Sequence, residues 1–360
     1  MNDLFRGEVD PQGAGGSSTV DGYDVLLLDL DGVVYRGPTP VAGAVESLTA
    51  AAQAGLRLLY VTNNAARPPQ AVSTHLQQLG LAADPDDVVT SAQAGAAMVR
   101  EMIPVGSTVL AVGGPGVAAA LEAVGLLALP AAAVRGRDLP EASVASKVDA
   151  VMQGFGPDVS WRDLALAAYA VQAGAVWVAT NTDRTIPRES GIAPGNGTLV
   201  DAVAAATGVR PPVAGKPHEP IMREAIKRAR ARTPLVVGDR LDTDIAGANA
   251  VGVDSLLVLT GVSTLTDVLL ADAGQRPTMV APDLGVLSSG SPAAGLEGPA
   301  EGIRVVGDQL RVETAAASRD DLPSLLTSAC RKAWTYRDDR GHTPDVAAAV
   351  EVLQRRITRS

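Results

Sequence analysis

Two aspartates, Asp29 and Asp31, stand one residue apart between an apolar run, Val25–Leu28, and a glycine, Gly32. An apolar run that opens an alternation of strands and helices is typical of a buried central strand. Carboxylates after such a strand are costly to bury unless a cation or a solvated cleft accompanies them. Because side chains alternate along a strand, we expect both acids on the same side. The alternative to a functional pair of acids is an ordinary Asp-Gly turn with one extra acid. Gly32 allows a sharp turn and a close approach of the backbone to a ligand.

A second group of polar residues follows the strand candidate Leu58–Val61. Thr62, Asn63 and Asn64 offer a hydroxyl group and two amides at the start of an expected helix, which suits an oxyanion such as phosphate. A helix N-cap followed by a turn explains the same residues without any ligand. This segment alone leaves both interpretations open.

Lysine is rare in this chain, which has four lysines against 26 arginines. One of them, Lys216, lies between Gly215 and Pro217, at the start of the helix expected from His218. The segment is not a P-loop, because its glycine spacing is wrong and Pro217 occupies the position of the serine or threonine. Lys216 is therefore either a solvated loop residue or a cation beside an anion.

A further acidic group follows the strand candidate Leu235–Val237, where Asp239, Asp242 and Asp244 lead into a helix. Asp242 either caps that helix or pairs with Arg240. Each of these polar groups stands at the carboxyl end of a predicted strand or opens a helix, and in a doubly wound sheet such positions converge on one crevice. Together the carboxylates, the lysine and the hydroxyl and amide groups suit Mg²⁺, which prefers oxygen ligands and substrate phosphate.

Composition narrows the class of protein. The chain has 360 residues, a length that suits two domains and a third small one. Because 46% of the residues are hydrophobic but only 3% are aromatic, we expect an aliphatic core. With a net charge of −10 and no basic patch interleaved with aromatics, we expect no binding to nucleic acid. The single cysteine, Cys330, fits a reducing compartment, and the sequence shows neither a signal peptide nor a membrane-spanning run. We therefore expect a cytoplasmic protein that does not bind membranes.

One pattern recurs along the chain: an alanine-rich amphipathic stretch, a glycine and then an apolar run. The glycines at the expected helix ends are Gly55, Gly80, Gly125, Gly174 and Gly252. Strands that alternate with helices in this way predict an α/β chain with a mostly parallel sheet.

Four motifs occur in this order along the chain: DLDGVVY (29–35), VTNNA (61–65), GKP (215–217) and GDRLDTDI (238–245). The chain resembles the haloacid dehalogenase (HAD) superfamily, and the wording of its motifs is similar to the class IIA branch, which includes NagD-like and 4-nitrophenylphosphatase-like phosphatases. The segment ATNTD (179–183), followed by Pro187 and by Gly195-Asn196-Gly197, also resembles that branch. The resemblance covers about residues 21–283.

The resemblance implies an α/β fold with a Rossmann-like, doubly wound parallel-sheet core and an inserted α/β cap domain. The expected parts are a flexible tail (1–20), the first part of the core (21–90), the cap (91–187), the second part of the core (188–284), a linker (285–302) and a small α+β extension (303–360). In the extension we predict a hairpin, Ile303–Val306 with Leu310–Val312, and helices near Asp321–Tyr336 and Pro344–Ile357. A segment of this size is near the lower limit for an independent domain, so it should pack on the main body or on a second copy.

The resemblance also implies roles for the acids and the lysine. Asp29 is similar to the nucleophile that forms an aspartyl-phosphate, and Asp31 to the general acid/base. Mg²⁺ would be held by Asp29, the backbone carbonyl of Asp31 and Asp239, with Asp244 acting through water. Lys216 would neutralise both Asp29 and the phosphate. We expect Asp29 to be ionised at neutral pH, and the pKa of Asp31 to be raised by its neighbour.

Substrate contacts are implied in the core and in the cap. In the core they involve Gly32, Thr62, Asn63, Asn64 and Lys216. In the cap, the loop 181–187 is the candidate for recognising the leaving group, through Asp183, Arg184 and Ile186. This loop contains no aromatic residue, which favours a small hydroxylated or carboxylated leaving group over a stacked ring.

These features predict a Mg²⁺-dependent phosphatase for a small phosphate monoester, with glycerol 3-phosphate and 2-phosphoglycolate as the first candidates. A nucleoside monophosphate or pyridoxal phosphate is the alternative substrate. Two other classes compete: a regulatory protein whose C-terminal segment binds a ligand, and a metal-dependent glycosyltransferase, which leaves Thr62, Lys216 and Asp239 unexplained. Besides the substrate, a second copy of the chain is the partner left open, as a homo-oligomer.

Overall fold

The computed structural model describes residues 20, 22–135, 141–188, 190–287, 302–313 and 321–359. Its strands are β1 (Val25–Leu28), β2 (Tyr35–Arg36), β3 (Thr39–Pro40), β4 (Arg57–Thr62), β5 (Val88–Thr90), β6 (Thr108–Val112), β7 (Leu127–Pro130), β8 (Ala150–Gln153), β9 (Val176–Ala179), β10 (Thr185–Arg188), β11 (Gly191–Pro194), β12 (Pro234–Gly238), β13 (Asp254–Val258), β14 (Met279–Ala281), β15 (Ile303–Val306) and β16 (Gln309–Val312). Its α-helices are α1 (Ala44–Gln53), α2 (Pro69–Gln78), α3 (Ser91–Met102), α4 (Pro115–Ala123), α5 (Ala131–Arg135), α6 (Glu141–Ala145), α7 (Trp161–Gln172), α8 (Asn196–Thr207), α9 (Glu219–Ala229), α10 (Ala246–Val251), α11 (Leu265–Leu269), α12 (Leu322–Arg340) and α13 (Ala347–Arg359). Short 3₁₀ segments cover Pro85–Asp87, Ala273–Gln275 and Leu284–Leu287, and a π-helical turn covers Leu241–Ile245.

In the described part of the chain, the central sheet has six parallel strands in the order β14-β13-β12-β1-β4-β5. β1 lies inside this sheet, and every one of its residues is buried. Leu26 and Leu28 pack with Tyr60 in the layer on one face, whereas Val25 and Leu27 pack with residues of α9 on the other. A strand covered on both faces is apolar throughout, which explains the continuous apolar run in the sequence.

A second sheet is inserted into the chain between β5 and β12. Among the described residues it has four parallel strands in the order β7-β6-β8-β9. The helix α8 packs onto it, because Val200 and Val203 share a buried cluster with Trp177. The domain boundaries given above stay predictions, and the packing of α8 favours a later end of the cap than Pro187.

The α/β pattern predicted from the sequence is confirmed. All five glycines expected at helix ends adopt positive φ angles, between 71° and 101°, which a glycine tolerates better than other residues. The predicted strands also appear within one or two residues of their expected bounds. The sequence pattern does not predict β2, β3, β5 and β14, because strands of two or three residues are too short to show a period, and it does not predict the hairpin of β10 and β11.

The C-terminal segment packs on the main body, one of the two alternatives expected. β15 and β16 form the predicted antiparallel hairpin, and residues of α12 and α13 share a buried cluster with residues of α11, β13 and β14. Trp334 Nε1 donates to the carbonyl of Val268 at 2.8 Å, and the Thr327 hydroxyl accepts from the N–H of Val280 at 3.0 Å. These contacts make the segment part of the structure around β14.

Buried residues lie at the ends of two of the predicted segments. The linker 285–302 lies mostly outside the described residues, but Val286 and Leu287 are buried in the core, so the core extends past residue 284. The tail 1–20 also lies outside the described residues except for Val20, which is buried. None of the described helices is both long enough and apolar enough to span a membrane.

Candidate active site

The acids meet at the carboxyl edge of the central sheet. Asp29 follows β1, Asp239 follows β12, and Asp244 lies in the π-helical turn after β12. One carboxylate oxygen from each of them lies within 4.8 Å of the others. Parallel neighbouring strands end at the same edge of the sheet, which is why residues more than 200 positions apart meet here.

Lys216 is buried among these acids, with 3% of its surface exposed. Its Nζ forms an ion pair with Asp29 Oδ1 and lies 2.7 Å from Asp244 Oδ1. It also donates to the carbonyl of Val61, at the end of β4, at 2.9 Å. The alternative of a solvated loop lysine is therefore wrong. His218, expected to start the following helix, is exposed and directly precedes α9.

The loop after β13 also holds Asp239. No residue of this loop was predicted from the sequence to belong to the site. The N–H of Val262 donates to Asp239 Oδ2 at 2.6 Å. A Cβ atom on Gly261 would lie 1.8 Å from that oxygen, so only glycine lets the loop pass this carboxylate. The signal was present in the sequence, because Thr260 and Gly261 follow the apolar run of a neighbouring strand.

Burial and mutual repulsion shift the pKa values of these groups. Burial raises the pKa of Asp29 well above its ordinary value; Lys216 opposes this, and Asp244 and Asp239 add to it. Asp29 does not, then, have the ordinary pKa expected from the sequence. Burial, followed by repulsion from Asp244, raises the pKa of Asp239 to about 6. Burial acts to lower the pKa of Lys216, but Asp244 and Asp29 together raise it.

A divalent cation fits this cluster. Three carboxylates face one ammonium group, so two negative charges stay uncompensated when all four groups are ionised. Oδ1 of Asp239 is buried and accepts no hydrogen bond from the described residues. Mg²⁺ is bound through a few carboxylate oxygens together with water and substrate phosphate, which matches this donor set.

Gly32 and Asp31 lie at the mouth of the cluster. Gly32 has a φ of +87°, and a Cβ atom there would lie 2.6 Å from Asp239 Oδ2, so the site requires a glycine. Its carbonyl accepts from the Thr260 hydroxyl at 2.7 Å. Asp31 reaches solvent. Burial of its carboxyl group by the surrounding protein nevertheless raises its pKa, opposed by the charge of Arg67. The raised pKa of Asp31 is as expected, but its cause is burial and not the proximity of Asp29.

The three polar residues at the end of β4, Thr62, Asn63 and Asn64, differ in their surroundings. Thr62 is buried, and its Oγ1 accepts from the N–H of Asn64 at 3.1 Å. Asn64 is exposed, and its Oδ1 accepts from the N–H of Ala66 at 3.0 Å. Asn63 is engaged on both sides of its amide: Oδ1 accepts from the N–H of Lys216 at 2.8 Å, and Nδ2 donates to the carbonyl of Lys216 at 3.0 Å.

Of the three cap candidates, one reaches the core. Asp183 Oδ1 accepts from Asn63 Nδ2 at 3.1 Å. Arg184 instead donates to Asp201 at 3.1 Å, and its side chain is 76% exposed. Ile186 lies in β10, half-buried, opposite Ala193 of β11. The structure therefore brings Asp183, and not Arg184, to the core.

Comparison with known proteins identifies the family. The family model described as haloacid dehalogenase-like hydrolase matches residues 26–127, and one described as HAD-hydrolase-like matches residues 213–287. The D-glycerol 3-phosphate phosphatase of Mycobacterium tuberculosis is 47% identical over 262 residues, which make up 73% of this chain and 70% of that protein. The chain belongs to the haloacid dehalogenase-like hydrolase family. The resemblance inferred from the four motifs is thus confirmed.

Other relatives of this hydrolase are also phosphatases. The acid sugar phosphatase of Staphylococcus aureus is 38% identical over 248 residues, which are 68% of this chain and 90% of that protein. A crystal structure of the M. tuberculosis glycerol phosphate phosphatase in complex with magnesium has a TM-score of 0.80 and 40% identity, over 95% of this chain and 98% of that one. A p-nitrophenyl phosphatase from Archaeoglobus fulgidus has a TM-score of 0.65 and 28% identity, over 74% of this chain and 99% of that one. The chain is, as predicted, a phosphoric monoester hydrolase.

Two features beside the catalytic cluster of this phosphatase are now explained. Asp242 pairs with Arg240, whose Nε and Nη2 donate to the two carboxylate oxygens at 3.0 and 2.8 Å. The pairing alternative is therefore confirmed for Asp242. Gly195 and Gly197 precede and begin α8, and a Cβ atom on either would lie 2.2 Å from a carbonyl oxygen of the loop that carries Asp183. Both glycines are needed for that loop to pack against α8.

Proposed function

We propose that this phosphatase hydrolyses glycerol 3-phosphate with the help of Mg²⁺. One observation carries the proposal: the similarity to the glycerol phosphate phosphatase of M. tuberculosis extends over 95% of this chain, including its C-terminal segment. The p-nitrophenyl phosphatase, by comparison, matches 74% of this chain with 99% of its own length. The relative that matches nearly the whole chain is thus named for a three-carbon phosphate.

In this proposal, Asp29, Asp239 and the backbone carbonyl of Asp31 would hold the metal ion, and Asp244 would act through water. When bound, Mg²⁺ supplies positive charge that offsets the repulsion between Asp29 and the phosphate oxygens. That repulsion is about 4 kcal/mol for single charges 4 Å apart at an effective dielectric constant of 20. Lys216 offsets more of it, because its ammonium group already contacts Asp29.

In the first step, a carboxylate oxygen of Asp29 attacks the phosphorus atom, and the bond from phosphorus to the leaving oxygen breaks. Asp31 donates a proton to that oxygen, so the alcohol leaves in its neutral form. Its raised pKa supports this role, because a carboxyl group must hold a proton in order to give it. The product of the step is an aspartyl-phosphate on Asp29.

In the second step, water attacks the phosphorus atom of the aspartyl-phosphate, and Asp31 accepts the proton of that water. The bond between phosphorus and the Asp29 oxygen breaks, which restores the carboxylate and releases inorganic phosphate. Thr62, at the end of the strand that pairs with β1, and the backbone near Gly32 are proposed to hold the phosphoryl oxygens. The side chain of Asn63 is not proposed for that role, because its amide is occupied by Lys216 and Asp183.

We propose Asp183 as the cap residue nearest to the leaving group. Its carboxylate group reaches Asn63, next to the strand end that carries Thr62. Arg184 and Ile186 stay predictions, since neither contacts the core residues that surround Asp29 among the hydrogen bonds of the described chain. A carboxylate at this position suits a hydroxylated leaving group, to which it accepts hydrogen bonds, better than a second carboxylate as in 2-phosphoglycolate.

The cellular setting and the assembly are proposed on composition alone. The single cysteine is buried in α12, which is compatible with a reducing, cytoplasmic environment. A homo-oligomer stays a proposal that the molecular mass in solution decides. Binding to nucleic acid is not proposed, because the chain carries a net charge of −10.

The test is phosphate release from a panel of phosphate monoesters, with kcat/KM measured for each. The panel contains both enantiomers of glycerol 3-phosphate, 2-phosphoglycolate, a hexose phosphate, pyridoxal phosphate and a nucleoside monophosphate. We expect a glycerol 3-phosphate enantiomer to be hydrolysed best, and EDTA to abolish the activity. A tenfold preference for pyridoxal phosphate or a nucleotide would falsify the substrate proposal. Full activity in EDTA would overturn the role of the metal.

A further inference from the structure

Asn63 contacts the lysine-bearing turn through both atoms of its amide group. Oδ1 accepts from the N–H of Lys216 at 2.8 Å, and Nδ2 donates to the carbonyl of the same residue at 3.0 Å. Two hydrogen bonds to one residue restrict both the position and the tilt of the turn. Gly215 makes room for them, since a Cβ atom there would lie 2.6 Å from Asn63 Oδ1.

The same amide group reaches into the inserted unit. Nδ2 carries two hydrogens, and besides Lys216 it donates to Asp183 Oδ1 at 3.1 Å. Asp183 belongs to the loop between β9 and β10. The amide nitrogen is therefore shared between the turn that carries Lys216 and the loop that carries Asp183.

The backbone of Asn63 also contacts two segments of the inserted unit. Its carbonyl accepts from the Ser91 hydroxyl at 2.6 Å, where α3 begins, and from Asn181 Nδ2 at 2.7 Å, just after β9. Asn181 is buried, and its own carbonyl accepts from Asn196 Nδ2 at 2.7 Å. Asn63 thus lies where the start of α3, the segment after β9 and the lysine-bearing turn meet.

We propose that Asn63 is a positioning residue that orders Lys216 and the Asp183 loop together, so that the lysine is correctly placed when the loop is seated over the substrate. The proposal rests on the phosphatase function proposed above. Asn63 acts through Lys216 and Asp183 and does not itself contact the reacting atoms. Its side-chain oxygen is the acceptor for the Lys216 N–H, and its side-chain nitrogen is the donor for Asp183. An ionised aspartate has no donor, alanine has neither group, and serine offers one short hydroxyl group in place of the two amide atoms.

The test exchanges the amide and carboxylate groups between positions 63 and 183. Asn63→Asp keeps the acceptor for the Lys216 N–H but places two carboxylates side by side, and we expect kcat/KM for glycerol 3-phosphate to fall about tenfold or more. The double variant Asn63→Asp with Asp183→Asn restores one donor and one acceptor between the two positions. We expect its kcat/KM for p-nitrophenyl phosphate to recover at least about threefold over Asn63→Asp.

A matched control is available at Asn249, whose Nδ2 also donates to two backbone carbonyls, those of Gly274 and Arg276, at 3.0 and 3.2 Å. Asn249→Asp should lower Tm while kcat/KM stays within about twofold of the wild type. If Asn63→Asp does not fold, Asn63→Ser removes the amide without adding a charge, and the same loss of kcat/KM is expected.

The outcomes separate this proposal from the function on which it rests. A wild-type protein that hydrolyses no phosphate monoester would overturn the proposed function itself. An active wild type, together with folded Asn63→Asp or Asn63→Ser proteins within twofold of it, would overturn the positioning role. So would a folded double variant that is no more active than Asn63→Asp on p-nitrophenyl phosphate, whose leaving group has no further hydroxyl group for Asp183 to bind, because the amide would then not be shared between the two segments.

Discussion

Asp29 is the residue on which the proposed chemistry depends most directly. It is held by the Lys216 ammonium group on one oxygen, and its N–H donates to the carbonyl of Val237 at 2.9 Å, which orients the chain as it leaves β1. Burial raises the pKa of Asp29 well above its ordinary value; Lys216 opposes this rise, and Asp244 and Asp239 add to it. The residue is thus placed for attack at a cost in stability, which a bound cation would relieve.

Replacing Asp29 separates its role in the attack on phosphorus from its cost in stability. Asn has nearly the same shape, but its amide neither attacks phosphorus nor offers a charged metal ligand, so Asp29→Asn should lower kcat by about a thousandfold or more. Because the ionised carboxylate is disfavoured in the folded protein, Tm in EDTA should equal or exceed that of the wild type. Phosphate release measures kcat and thermal unfolding measures Tm, and the surface variant Asp86→Asn is the control. Turnover within tenfold of the wild type would contradict the covalent mechanism.

The loops at the ends of strands determine where the side chains of the site lie. The loop after β13 passes so close to Asp239 that Gly261 has no room for a side chain, and the neighbouring N–H of Val262 holds the same carboxylate. This loop belongs to no sequence motif quoted for the family, yet it determines where one metal ligand lies.

Gly261→Ala should therefore weaken metal binding without unfolding the protein. The new Cβ atom would force either the loop or Asp239 to move, and residues that orient a metal ligand typically change affinity by about tenfold or more. We expect half-maximal activation to require about ten times more Mg²⁺. Gly274→Ala is the control, because a Cβ atom there meets nothing within 4 Å. An unchanged Mg²⁺ dependence in Gly261→Ala would show that the loop has no such influence.

Asp24 anchors the start of β1 beside β12. Its carboxylate accepts from the N–H groups of Arg232 and Thr233, at 2.8 and 3.0 Å. Burial acts to raise the pKa of Asp24, but these hydrogen bonds outweigh it and lower the pKa. A lowered pKa stabilises the fold above the pKa of the unfolded chain, and that stabilisation is lost as the pH falls.

Asp24→Asn should consequently destabilise the protein by about 1–3 kcal/mol at pH 7, because one of the two N–H groups then faces an amide nitrogen. The difference from the wild type should shrink as the pH falls below about 4, where the carboxylate of the unfolded chain becomes protonated. Urea unfolding at neutral and acidic pH measures this, with exposed Asp158→Asn as the control. A difference in stability between Asp24→Asn and the wild type that stays constant with pH would show that the charge of Asp24 does not contribute.

At the scale of the whole molecule, the C-terminal segment packs on one face of β13 and β14, at the edge of the central sheet. Leu257, Leu265, Val268 and Val280 of the main body are buried in the same cluster as residues of α12 and α13. Every catalytic motif precedes Pro282, so the sequence predicts that a chain ending there keeps its chemistry. The structure moves that end point, because Val286 and Leu287 also belong to the core.

A chain ending after Leu287 should retain every residue of the site but expose this apolar face. We expect it to aggregate or to lose several kcal/mol of stability, since each large apolar side chain exposed costs about 1.5–3 kcal/mol. Phosphate release by the soluble fraction and unfolding by urea measure the two properties. A truncated protein as stable as the full chain would contradict the docking of the segment.

A point variant tests the same docking without a truncation. Trp334 is 7% exposed, packs in the shared cluster and donates to the carbonyl of Val268, so Trp334→Ala should cost about 3–5 kcal/mol. Trp161 is 75% exposed at the start of α7, and Trp161→Ala should change stability by less than about 0.5 kcal/mol. Equal unfolding midpoints for the two variants would show that Trp334 contributes no packing energy.

The sequence by itself determined the features that depend on near neighbours. The apolar run before Asp29, the glycines at helix ends and the acids after β12 all follow from short-range patterns, because strand and helix formation depend on periodicity within a few residues. The rule that parallel strands end at one edge then brought Asp29, Lys216 and Asp239 into one predicted crevice. Four ordered motifs were enough to identify the family.

Only the tertiary structure decided the features that depend on distant partners. The amide of Asn63 meets Lys216 across 153 positions, and Lys216 meets Asp29 across 187. No local pattern reports that Asn63 is occupied, that Arg184 turns to Asp201, or that the C-terminal helices pack beside β14. Hydrogen bonds and packing contacts form between whichever groups the fold brings within a few ångströms, so these roles are determined by the completed fold.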